Sequence, residues 1–401
     1  LNTPTIEIET AYREAQQRRR QEQRMAAMAD SVAGRPPNPQ QQPPANPAAA
    51  GEVLKNLAPN KWTALQCPRW PDNRQGGGWS TVTLDTDRDQ ILHMGGGHSS
   101  YFGNDVAHYD IASGRWSIAC RPQFALEFNY DLNGPGSWAF NGAPWGGHNY
   151  HAYAYDPTLK RLAYVKGGMM LFYDASSRTW PFAERFGNLP FFVSKYVNYL
   201  CTTPAGVVCW TQTLASQSKT GIWRLEGGKA WKELKTSGEA LPMTVCDGST
   251  ISYDSKRDRL ILTTTPGKSG EPAGQAWSVD LKTGEVKKLQ PEGREAVTGE
   301  RFARESVYLP KSDTVMFGFL LAQEGKLVVP FYDCAANRWL SAELPGADFI
   351  NRGKAGSSVD LGLVYDAKRE LVWGVLCSLR GTGALNVVRL DAASLGAKPL
   401  K

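Results

Sequence analysis

The chain carries five histidines, His93, His98, His108, His148 and His151, and none beyond position 151. Histidine is the one side chain whose ordinary titration falls near neutral pH, so this crowding is where chemistry is sought first. His98 follows a glycine triplet in "ILHMGGGHSSYFGN", and His148 and His151 close "APWGGHNYHAY". Two histidines three apart in a loop can share an ion, which makes His98, His148 and His151 a candidate ligand set for a structural metal. The same residues, with Tyr150 beside them, could instead move protons. "GGGHSSYFGN" is no phosphate cradle, because no Lys-Ser/Thr follows it and no helix is entered. His93 in "ILHMG" and His108 in "VAHYD" sit inside apolar runs and read as hydrogen-bonded core histidines.

The rest of the chain must position that cluster. Its 401 residues are 41% hydrophobic and 21% charged, so a packed core is within reach and a soluble globular class is expected. Forty glycines and 25 prolines, with 13 Trp and 15 Tyr, favour many turns and aromatic strands over a helix bundle. A net charge of +6 is spread too thinly to argue for nucleic acid. No stretch approaches the roughly 18–20 apolar residues of a membrane-spanning helix. The chain begins at Leu1 with neither Met nor signal peptide, which reads as a processed or excised fragment whose targeting information is gone. Seven cysteines without a CxxC exclude a zinc ribbon. In "YLCTTPAGVVCW" a turn at Pro204-Ala205-Gly206 would bring Cys201 opposite Cys209, within reach of a disulfide, with two buried thiols as the alternative.

Residues 1–50 stand apart. "TAYREAQQRRRQEQRMAAMA" is made of helix formers with little apolar periodicity, and "GRPPNPQQQPPANPAAA" is a linker that cannot bury a core. The Arg18-Arg19-Arg20 run reads as solvated surface, or as part of an arm docking on a partner or neighbouring domain. From residue 55 to 401 a pattern recurs: an apolar strand ending in Tyr-Asp or similar, a polar turn, a second strand, a variable loop, a third strand, and a fourth that often bears Trp. The copies open at "WSTVTLD", "HAYAYD", "VNYLCTT", "STISYD", "ESVYLP" and "LGLVYD". Their spacing, mostly near 45–55 residues, suits four-stranded sheets repeated around an axis. "NKWTALQC", residues 60–67, reads as an orphan outer strand that closes the ring by joining the last sheet and removing an exposed edge.

Gly95-Gly96 and Gly167-Gly168, the Tyr-Asp pairs at 109, 173 and 332, and Trp116, Trp180, Trp231 and Trp339 carry a resemblance to the kelch-type β-propellers, a fold shared with the galactose-oxidase-like superfamily. The resemblance covers residues 60–401 and implies an all-β propeller. Six blades of four antiparallel strands fit the copies, and seven would need one more in the long gap after Cys120. Its outer-strand aromatics would fill the wedges between blades. In such a ring, the His98 loop and the loop entering His151 open on one face of the central channel. Aligning the copies on their Tyr-Asp ends places Ser80, His151, Asn198, Ser249, Glu305 and Leu361 at one depth, with Arg301 and Arg304 entering beside Glu305.

Three functions compete. The first reading is a secreted or periplasmic module binding a glycan or protein ligand at this rim, through Tyr101, Asn104, Trp145, Asn198, Arg301 and Glu305. The second comes from a resemblance to propeller-fold polysaccharide lyases. There His98 or His151 would be the base, Tyr150 or Tyr196 the acid, and Arg304 the partner of a uronate carboxylate. The third is the histidine metal site; otherwise no cofactor is expected. Tyr150-His151 is similar to the Tyr-His ligand pair of copper-radical enzymes in the same superfamily, but these need a second late histidine and none follows His151.

Overall fold

The structure is a computed structural model and describes residues 47–65, 80–95, 105–118, 144, 146, 149–193, 198–216, 218–245, 248–264, 274–297, 305–351, 361–376 and 385–400. Six sheets are present, and each expected copy forms one. Their innermost strands are Thr83–Asp85, Tyr153–Asp156, Tyr199–Thr203, Ser249–Asp254, Ser306–Leu309 and Leu361–Asp366. Each packs beside the next, and the last packs beside the first, so the ring closes with six blades. A seventh has no place in it.

The core is distributed as six wedges, each between neighbouring blades. Trp116 lies in the wedge between the first and last blades, Trp231 between the second and third, and Trp339 between the fourth and fifth. Large planar side chains suit this duty because the gap between twisted sheets widens toward the rim. The second blade departs from the four-strand pattern. Its sheet has three strands, and the outer position is held by isolated bridges, Met170 to Phe186 and Asp174 to Thr179. Pro181 follows Trp180 directly and has no N–H to give a ladder.

Closure occurs at two places. Thr63–Ala64 pairs antiparallel with Leu385–Arg389 and becomes the outer strand of the sixth blade. Trp62 beside it is buried and meets Phe349 edge-on at 4.9 Å. Lys398–Pro399 does not join the sixth blade but adds to the outer edge of the fifth. The expected linker ends in a helix, Pro47–Lys55, whose final carbonyls accept from the Arg389 guanidinium at 2.9 and 3.1 Å.

One local device recurs at the turns of the inner hairpins. Asp85, Asp156, Asp254 and Asp366 each accept backbone N–H groups from two or three residues on. The fourth turn residue is left-handed in each: Asp89, Lys160, Asp258 and Glu370 have φ between 49° and 61°. These turns also clasp neighbouring blades. Arg369 grips Asp89 through both carboxylate oxygens at 2.7 and 2.5 Å, and Arg257 grips Asp313 at 2.8 and 2.6 Å. The third blade lacks the device because its hairpin turns through Pro204 and Ala205 alone.

That short turn also decides the cysteine question. The hairpin forms where expected, but Cys201 lies opposite Val208 and Cys209 opposite Leu200. The one-residue offset puts the two thiols on opposite faces of the sheet. Both are free, and with Cys201 packed toward the fourth blade and Cys209 toward the second, no bridge joins them.

Candidate functional site

The candidate site is built at the end of the channel where the innermost strands begin. The segment leading into the second blade is locked there from below. The Asn149 side chain donates to the Met94 carbonyl at 2.9 Å and accepts from the Tyr164 hydroxyl at 2.5 Å. Gly95 has φ 69°, and a Cβ there would run into the Gly146 carbonyl and the Asn149 amide. Only glycine lets the two loops approach this closely.

Tyr150 follows with φ 44°, a conformation that costs a bulky residue free energy and persists only where the surroundings impose it. Its side chain is buried, and its backbone bridges to Ser80. The strained step delivers His151 to the channel. Its ring stacks on Tyr199 of the third blade at 5.1 Å with 19° between planes. Its Nε2 lies 3.6 Å from Oε1 of Glu305, which comes from the fifth blade, across the channel. The other Glu305 oxygen accepts from the Leu363 N–H at 3.5 Å. Both side chains are over nine-tenths enclosed, at 9% and 7% exposure, so the contact is shielded from water.

The neighbouring tyrosines are spent on main chain. Tyr153 donates to the Thr81 carbonyl and Tyr199 to the Val245 carbonyl. Asn198 donates to Thr211 Oγ1 at 2.8 Å and to the Phe192 carbonyl at 3.1 Å. Burial pushes the Tyr164 phenol far above its ordinary range.

Of the residues singled out in the sequence, Tyr150, His151, Asn198 and Glu305 are described, and His151 and Glu305 meet. His98, Tyr101, Asn104, Trp145, His148, Tyr196, Arg301 and Arg304 lie outside the described residues. The expected ring needs one correction. Tyr308 pairs with Val315 and Leu309 with Thr314, as Tyr253 pairs with Leu260 and Asp254 with Arg259. By that register Glu305 stands one residue nearer the hairpin than Ser249. The proline in "VYLPKSD" hid the offset, because Leu309 stands where other blades carry Asp.

His93 and His108 are buried in their strands, as their apolar settings imply. His108 bridges Gln90 at 2.9 Å and Tyr173 at 2.7 Å, and burial, with repulsion from Arg178 and Arg88, lowers its pKa to about 4. Among the described residues, Asp254, Asp313 and Cys334 approach one another at metal-ligand distances. Arg257 and Arg259 already occupy those carboxylates, and burial pushes the Cys334 thiol up to about 12, so the group is an ion-pair cluster rather than a metal centre.

Below His151 and Glu305 the channel widens into a cavity of about 440 Å³ that all six blades line. It runs to the hairpin turns at Thr86, Pro157, Pro204, Ser255, Pro310 and Ala367. Among the described residues no helix is long and apolar enough to cross a membrane.

No family model and no curated protein matches the chain. Among solved structures, a gluconolactonase from Xanthomonas campestris is similar over 89% of this chain and 99% of its own, at 11% identity and a TM-score of 0.45. A likeness that remote carries nothing about chemistry, and the six-bladed ring rests on the strand pairing and closure of this chain itself.

Proposed function

We propose that the protein is a kelch-like, extracellular or periplasmic binding module that takes a glycan at the channel rim above His151 and Glu305. The observation that carries this reading is the pairing of those two residues across the channel, with His151 stacked on Tyr199. A carboxylate and an imidazole at one opening offer the planar donor and acceptors that hydroxyl-rich ligands need. Tyr101, Trp138 and Trp145, in the sequence between the first and second blades, would supply aromatic surface for sugar rings. The hydroxyls of Tyr153 and Tyr199 are committed to carbonyls, which suits holding a ligand more than moving its protons. A glycan array on the intact protein tests the reading. Selective retention of one glycan class, lost in Trp145→Ala, is expected; an empty array overturns it.

One observation favours a second reading, cleavage of a uronate glycan by β-elimination. His151 is backed by a carboxylate, an arrangement that can orient a neutral imidazole as general base and stabilise the imidazolium it becomes. Arg304, adjacent to Glu305, would meet the uronate carboxylate, His98 would assist, and Tyr150 would be the acid. Incubation with a panel of polyuronides decides: rising absorbance of the unsaturated product establishes a lyase, and no rise with binding retained removes it.

A further inference from the structure

We propose that the hairpin-side end of the channel, on the other side of the His151–Glu305 pair from the rim, is a second binding site for a neutral pyranose-sized polyol. The cavity has the volume for such a ligand, about 440 Å³, and is built by all six blades rather than by one loop. Its walls have two characters. Tyr253, Tyr308 and Tyr365 occupy the same register position on three consecutive blades and line one side. The Tyr253 and Tyr308 hydroxyls donate to Asp258 and Asp313 at the turns, so these residues offer the cavity ring carbon. A tyrosine surface of this kind stacks on the C–H face of a sugar.

Hydroxyls line the remainder. Thr202 Oγ1 donates to the Tyr155 carbonyl at 2.7 Å and keeps acceptor capacity. Thr83 Oγ1 accepts from the Tyr155 N–H at 2.9 Å and keeps its own proton to donate. Ser252 and Ser306 share one hydrogen bond at 2.6 Å, which leaves one of their two O–H groups for a ligand. The wall therefore presents donors and acceptors in mixture, matching an alcohol, which is both at once.

Charge at the mouth argues in the same direction. Lys160 pairs with Asp87, Lys311 with Glu370, and Lys368 with Asp89, while Arg257 and Arg369 are clasped by acids. The mouth has no uncompensated cation among these residues to attract an anion, and among the described residues the cavity wall carries no titratable acid or base beyond Cys201, the tyrosines, and His151 and Glu305 at its inner end.

Calorimetric titration of the full chain with methyl glucopyranoside, glucuronate and glucosamine tests the site. Saturable binding of the neutral sugar is expected, with the two charged sugars at least tenfold weaker. Ser252→Ala and Tyr365→Leu should each weaken the neutral sugar tenfold or more while the melting curve stays in place. Absence of saturable heat, equal binding of all three sugars, or unchanged affinity in both variants would overturn the proposal. The readout uses monosaccharides, so a failure of polysaccharide binding at the opposite rim leaves it untouched.

Discussion

His151 and Glu305 belong to the second and fifth blades, on opposite sides of the ring, and meet at 3.6 Å. A pair so placed ties the two halves of the propeller at one end of the channel. Single alanine substitutions at each position should destabilise the protein, and the double mutant should fall short of their sum by about 0.5–3 kcal/mol. Urea unfolding of the four proteins measures the coupling, and additivity would mean that the two side chains do not interact.

His108 gives the fold a titration of its own. Burial lowers its pKa from 6.5 to about 4, so the folded state resists a proton that the unfolded chain accepts. Stability is therefore complete above pH 6.5 and is lost as pH falls toward 4, by on the order of 3 kcal/mol. Thermal melts of wild type across that window should show the loss. His108→Gln should start less stable and lose less over the same interval.

A second acid window lies lower and has a different origin. The hydrogen bonds from Arg369 hold Asp89 at about 2, and those from Arg257 hold Asp313 at about 2, against an ordinary 3.8. Carboxylates depressed in the folded state stabilise it above the unfolded pKa, and the contribution disappears as pH falls from about 4 to 2. Arg369→Met and Arg257→Met should flatten the stability profile in that range while leaving the His108 window unchanged.

Ring closure depends on Trp62. It is 3% exposed, packs on Phe349 and donates its backbone N–H to the Pro345 carbonyl at 2.9 Å. Trp62→Ala should cost about 3–5 kcal/mol in urea unfolding. A loss below 1 kcal/mol would mean that the N-terminal strand contributes little to holding the sixth blade.

Much of this architecture could be read along the chain, for physical reasons. The inner hairpins announce themselves through the Tyr-Asp pair and a turn whose Asp caps the backbone, because the chemistry is contained within six residues. The outer-strand tryptophans were equally plain, since Trp116, Trp231 and Trp339 face wedges that recur with the repeat. Register was harder. Tyr308-Leu309 in place of Tyr-Asp shifted Glu305 by one position, and a two-residue turn moved Cys201 off Cys209. These strands are buried on both faces, so they carry no apolar alternation that would expose a one-residue slip. The clasps of Arg369 on Asp89 and Arg257 on Asp313 join residues that no local rule associates, because their partners come from the next blade. The same holds for the site: the histidine cluster drew attention to His151, but only the closed ring brings Glu305 to it. The left-handed backbone at Tyr150 also had no signal in the sequence.

The rim reading stands or falls on whether His151 and Glu305 touch a ligand. Isothermal titration of an array-selected glycan into wild type, His151→Ala and Glu305→Gln is the direct measurement. Saturable binding by wild type and at least tenfold weaker binding by both variants, with their folds intact by circular dichroism, is the predicted result. Undiminished affinity in both variants would contradict it.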